Sequence, residues 1–253
     1  MLRTVPPYRL AKRRYAMRLD AILDDFDAVM RSARNVEFYY IPHSGAAMVL
    51  ESVLADGAVT QRPPDNDQKA LRQLRMVSRL MGRTPRLRRS LIARLMLAHA
   101  EERFTEDWHR AFPTERDSMR FNETEWHLPP ETAPDALREV VGALERAMPG
   151  LFFPMEVRLT GGDDLYLSPF TGGERVSIAV HDIAVRDFTP VLDIVEPIFI
   201  RHGGRPHWGK MHRLTAAELR PLYPHWDEAI DARRHYDPDG RFLTPYLRRM
   251  LGL

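Results

Sequence analysis

The folds open to this chain are limited most by short runs that alternate between two kinds of side chain, interleaved with stretches of helical periodicity. Between Met119 and Leu128, Phe121, Glu123, Glu125 and His127 fall on one face, and Asn122, Thr124 and Trp126 on the other. That period of two belongs to a strand. Phe153 to Thr160 repeats it, with Glu156 and Arg158 on one face and Val157 and Leu159 opposite; in 175–183, Ser177, Ala179, His181 and Ile183 share a face. Val36 to Ile41 is β-branched and aromatic and stops at Pro42. Met48 to Ala55, ambiguous by itself between helix and strand, is placed to pair back with it through a turn at Ser44-Gly45.

Helices fill the gaps. Leu19, Ile22, Leu23, Phe26, Val29 and Met30 line one side of a helix spanning 19–30. After the proline-containing loop 61–67, helices are expected at 68–82 and 86–100, broken at Gly82 and Pro85, with apolar stripes inward and arginines outward. Thr132 is expected to cap a helix running to Met148, and Thr189-Pro190 to open another that Gly203-Gly204 closes. The order predicts an α+β fold: a mostly antiparallel sheet with helices packed on one face, plus a helical C-terminal tail.

At 253 residues the chain is long enough to bury a sizeable core, and its 44% hydrophobic content with 28% charge is that of an ordinary globular protein. It has no cysteine, so disulfides and thiolate metal sites are excluded. Its ten histidines lie scattered without ligand spacing, so no metal is expected. Neither a signal-peptide core nor a run of about 20 apolar residues is present, and the expectation is a cytoplasmic chain, with peripheral membrane contact left open. Arginines cluster at 9–18 and 83–94 without a nucleic-acid-binding module, so a solvated helix face or a docking surface is the expected use, not nucleic acid.

The densest chemistry lies in Arg205-Pro206-His207-Trp208-Gly209-Lys210, between two helical segments. Only Lys12, Lys69 and Lys210 of the 37 basic residues are lysine, so an amine has been kept here by a chain that otherwise uses arginine. Thr215-Ala-Ala-Glu218, Tyr223-Pro224 and Asp237-Pro-Asp-Gly-Arg-Phe-Leu-Thr-Pro-Tyr246-Leu247 follow. This ending resembles the C-terminal end of the aldonolactone and alditol oxidases, including D-arabinono-1,4-lactone oxidase, flavoenzymes of the vanillyl-alcohol-oxidase group. There an HWxK loop precedes a helix and a DPxGRFxNxYL ending. The departure is Thr244, where the family usually has Asn.

The resemblance runs from Val5 to Gly252 but covers only the second half of the family, its substrate-binding or cap domain. Residues 205–253 would be the tail returning to the flavin domain, and the FAD-binding domain itself would lie outside this chain. The resemblance implies oxidation of an aldono-1,4-lactone or alditol by hydride transfer to FAD, with oxygen as acceptor. It implies Glu156 and Arg158 as binders of the polyol or lactone, His181 and Lys210 as the catalytic pair, and His207 as a residue orienting the loop or facing the cofactor. From spacing alone, Glu156 and Arg158 equally fit a surface ion pair, and His181 a hydrogen-bonded core histidine. Three histories remain open: a split subunit needing a separate flavin-binding partner, a truncated product, or a relic kept as a non-catalytic binding module.

Overall fold

The structure, a computed structural model, describes residues 6–63, 67–82, 84–111 and 119–253. Strand β1 (Arg9–Arg18) runs into helices α1 (Leu19–Asp24) and α2 (Phe26–Met30), followed by the hairpin β2 (Asn35–Ile41) and β3 (Ala46–Ala55). Next come α3 (Asp67–Leu80), α4 (Pro85–Leu97), β4 (Glu102–Asp107) and the short α5 (Trp108–Ala111). The second half holds β5 (Phe121–Leu128), α6 (Ala133–Ala147), β6 (Met155–Thr160), β7 (Arg175–Ile183) and α7 (Thr189–Arg201). Its tail is β8 (Arg205–Pro206), α8 (Ala216–Leu219), a 3-10 turn, α9 (Trp226–Tyr236) and α10 (Pro245–Leu251).

The strands form one sheet in the order β4-β1-β3-β2-β6-β7-β5-β8, and each pairing between them is antiparallel. The α+β architecture is the one expected. Phe38, Tyr40, Val157, Ile178, Val180 and Trp126 project from one face into a core completed by Leu137, Val140 and Leu144 of α6 and Val191, Val195 and Phe199 of α7. Each such side chain, removed from water, contributes about 1.5–3 kcal/mol. The tail joins the same core through Leu214, Leu219, Tyr223, Trp226, Ile230 and Met250. Alternation then obliges the other face to carry the remaining set, which includes Glu37, Glu156, Arg158, His181, Glu123 and Glu125.

Several expectations are corrected. The arginine-rich segment 9–18 is a strand, not a helix face, and β4 beside it was likewise unforeseen. Its cations are matched across strands: Arg9 with Asp107, Arg13 with Glu51 and Glu101, Arg14 with Glu102. The stripe at 19–30 is buried as expected, but Asp25, at φ −126° and ψ 42°, divides it into two helices. Thr132 does not cap α6; its hydroxyl donates to the His202 carbonyl at 2.8 Å. Helix α7 begins on Thr189 itself, whose N–H donates to Asp187 Oδ1 at 2.9 Å.

In α3 and α4 the expected polarity is partly inverted, because Arg88 is buried while Leu80, Leu87 and Leu95 are exposed. The β2–β3 turn does fall at 42–45, where His43 and Gly45 adopt φ of 62° and 69°. The positive φ at Gly45 favours glycine there, since an L side chain would be strained at that backbone conformation. Among the described residues, no helix is long and apolar enough to cross a membrane.

Candidate functional site

The sheet register sets the polar residues in rows. One row reads Glu37, Arg158, Ser177 and His127 across β2, β6, β7 and β5; the next reads Tyr39, Glu156, Ala179 and Glu125; a third pairs His181 with Glu123. Strand pairing fixes these neighbours before any side chain bonds, and successive rows lie two residues apart, roughly 7 Å. Ala179 sits between Glu156 and Glu125 and has no side chain beyond its Cβ to fill that gap. The Arg158 guanidinium binds both carboxylates, at 3.1 Å to Glu156 and 3.2 Å to Glu125.

Lys210 arrives from the tail. The HWGK loop continues the β8 pairing along the edge of β5: the N–H groups of His207 and Met211 donate to the carbonyls of Glu125 and Glu123, each at 2.9 Å. Trp208 anchors the loop through a 2.8 Å bond from Nε1 to the Tyr223 hydroxyl and by packing on Tyr223 and Trp226. His207 Nδ1 accepts from the Gly209 N–H at 2.9 Å, which tightens the turn. The two backbone bonds flank Lys210 and deliver its ammonium to the Glu123 carboxylate.

Glu123 is the hub. Its other oxygen lies 3.4 Å from His181 Nε2, while His181 Nδ1 is 2.8 Å from the Pro154 carbonyl. Burial works to raise the Glu123 carboxyl, but hydrogen bonds from His181 and Lys210 outweigh it and hold it at about 2. The His181 ring is edge-on to Phe121 and also packs on Phe153. Phe153 belongs with Phe152 and Ile183 to a cluster that Leu71 and Leu74 of α3 complete, so α3 walls this end of the polar face.

Further charges line the face. Burial, with Glu156 adding to it, pushes the Glu37 carboxyl up, and burial pushes the Lys12 amine down. Burial lowers Arg158 less than Glu156 and Glu125 raise it, so its guanidinium is held above the usual range. His127 is buried, with Nδ1 2.7 Å from Ser177 Oγ and its ring beside His207; burial first, then His207 and Arg158, lower it to about 3. Its Nε2 is buried without a hydrogen-bond partner. An open cleft of about 560 Å³ adjoins Glu123 and Lys210, walled by Phe121, Trp208, Met211 and Tyr246.

The structure thus brings His181 and Lys210 onto the two oxygens of one carboxylate. It sets Glu156 and Arg158 beside Glu125, two residues along the same strand, and His207 against His127. Sequence reasoning did not single out Glu123, Glu125 or Glu37 for the site. The signal for the first two was present in the Glu-x-Glu alternation that points them to the face shared with His127. The Asp237-to-Tyr246 stretch has a structural use: Asp237 accepts from the N–H groups of Arg241 and Phe242, and Thr244 caps α10 by accepting from the Leu247 N–H at 3.2 Å.

A family model described as D-arabinono-1,4-lactone oxidase matches residues 1–250. The chain is 31% identical over 261 residues to the L-gulono-1,4-lactone dehydrogenase of Mycobacterium tuberculosis, a match covering 99% of this chain and 59% of that protein. It is 28% identical over 272 residues to the L-gulonolactone oxidase of Mus musculus, covering 98% of this chain and 58% of the relative. Among solved structures, cholesterol oxidase from B. sterolicum shares the fold with a TM-score of 0.70 at 11% identity, over 97% of this chain and 60% of that one. The chain therefore spans a little under three-fifths of the length of the relatives it matches. By its family match, and with a fold to suit, it belongs to the D-arabinono-1,4-lactone oxidase family.

Proposed function

We propose that this chain forms the substrate-binding half of a flavin-dependent oxidoreductase acting on an aldono-1,4-lactone, of the D-arabinono-1,4-lactone type, or on an alditol. The observation that carries the reading is the shared carboxylate: Glu123 binds Lys210 and adjoins His181, and Arg158 is held by Glu125 next along the strand. An FAD bound by a flavin-binding half, in the same polypeptide or a separate subunit, supplies the acceptor for hydride from the substrate C–H, with oxygen taking the electrons afterwards.

The residues suit such a cofactor and a hydroxylated substrate. The side chains of Arg158 and Lys210 retain 43% and 30% exposure, so their remaining donors are open to a ligand, and the partnerless His127 Nε2 lies in the same region. Glu156 and Arg158 bind substrate hydroxyls or the lactone. His181 takes the hydroxyl proton: with Nδ1–H bonded to the Pro154 carbonyl the neutral ring accepts at Nε2, and the bond from Nε2–H to Glu123 belongs to the imidazolium that results, whose charge that carboxylate balances. Lys210 and Arg158 stabilise the negative charge on the substrate oxygen as its proton leaves. His207 orients the loop by accepting from the Gly209 N–H.

The test is anaerobic mixing of sugar lactones and alditols with an assembly of this chain and a flavin-binding half. Substrate-dependent bleaching of the flavin is expected, slowed roughly 10²–10⁴-fold by His181→Ala. A flavin-loaded assembly that none of these compounds reduces would overturn the proposal, and full turnover by the His181 variant would remove that residue from its role.

A further inference from the structure

Between Gln68 and Ala100 the chain carries nine Lys or Arg and no Asp or Glu. This block contains α4 and all of α3 after its first residue, Asp67. The pair is fixed to the body on its inner side: Arg88, 1% exposed, donates from Nη1 to Ser78 Oγ at 3.2 Å and to the Pro149 carbonyl. Ile92 is buried, and α4 rests against β1 and β3. The outward side is unusual. Met76 and Leu80 on α3, and Leu87, Leu91 and Leu95 on α4, recur every four residues and face solvent, with Leu80, Leu87 and Leu95 at 77%, 61% and 64% exposure. Arg75, Arg79, Arg86 and Arg94 are exposed on the same two helices, and no carboxylate among the described residues pairs with them.

We propose that this face docks on an anionic lipid bilayer, the leucines entering the boundary between headgroups and acyl chains while the arginines bind lipid phosphates. The charge pattern selects the occupant. A second copy of the chain would set one cationic block against another. A protein interface concentrates apolar side chains at its centre and loses charge there, whereas here cations and leucines share two short helices. An anionic membrane surface accepts both together, and its affinity grows with buried apolar area and with each added cation. Docking would turn the α3 end of the polar face, where Leu71 and Leu74 pack on Phe153, toward the bilayer.

The experiment is co-sedimentation of the full chain with vesicles of phosphatidylcholine alone and of equal phosphatidylcholine and phosphatidylglycerol. Binding is expected to the second at low salt, roughly tenfold above the first, and to weaken with added salt. Leu87→Ser with Leu95→Ser should lower partitioning by roughly tenfold. Arg75→Gln with Arg79→Gln, which leaves every leucine in place, should lower it about fivefold per arginine. All four substitutions are at exposed positions, so the thermal midpoint should hold. Absence of binding to anionic vesicles at low salt, or wild-type partitioning by both variants, would overturn the proposal. So would hydrogen exchange showing that a flavin-binding half, and not vesicles, protects α3 and α4.

Discussion

Glu123 is where the electrostatics of the polar face concentrate, because one carboxylate serves an amine from the tail and an imidazole from β7. Its carboxyl titrates at about 2 in the folded chain against an ordinary 4.5. A depressed folded-state value means that the unfolded chain binds the proton more readily. The stabilisation is therefore complete above pH 4.5 and drains away as pH falls toward 2, amounting in total to roughly 3 kcal/mol. Glu123→Gln should lower the urea midpoint at pH 7 and flatten the pH dependence between 4.5 and 2. An unchanged slope in that window would show that the two bonds carry no net stabilisation. The alternation of β5 did disclose which way Glu123 points. Its partners it did not disclose, since Lys210 lies 87 positions away and reaches it only because the loop is hydrogen-bonded along the β5 edge. The family resemblance is what singles out His181, Lys210, Glu156 and Arg158; spacing alone left each with an ordinary structural reading.

At the level of elements, what the sequence withheld was mostly decided by distant partners. β5, β6 and β7 carry apolar residues on one face and polar ones on the other, so they read clearly in a short window. β1 carries five basic residues in ten, and only the acids of β3 and β4 make it tolerable as a strand. α3 and α4 misled for the opposite reason: local periodicity assigns leucines inward, yet part of the stripe meets no partner within the chain. The departure at Thr244 is a milder case. Its hydroxyl caps α10, whose Tyr246 hydroxyl in turn bonds the Trp208 carbonyl behind the HWGK loop. Capping explains why Thr can stand where the family usually has Asn, because both side chains present an oxygen at that position. Thr244→Ala should cost about 1 kcal/mol, seen as a fall of roughly 2–4 °C in the thermal midpoint, while Thr244→Asn should match the parent. Equal loss in both variants would mean that the threonine methyl, not the cap, holds the tail.

For the molecule as a whole, the sheet divides a dry side from a charged one, and the two respond differently to acid. The core around α6 and α7 is built from apolar side chains. On the charged side and in the tail, His127 and His212 are buried, and burial is the main reason that they stand at about 3 and about 4 against an ordinary 6.5. Both are bases with depressed folded-state values, so below pH 6.5 the unfolded chain takes up protons that the folded chain refuses. The share that these two contribute is whole above 6.5 and falls as pH drops toward 4, where His212 takes its proton in the folded chain, and below that His127 continues beside Glu123. Each histidine adds a slope of at most about 1.4 kcal/mol per pH unit in that window. Urea unfolding from pH 7.5 to 4.5 should show the midpoint steady at first and then declining, more shallowly in His127→Gln, which has no proton to bind. A midpoint indifferent to pH would mean that both imidazoles accept protons in place. His127 would then contribute a cation to a face already holding Arg158 and Lys210, and the balance of charge offered to a substrate would have to be redrawn.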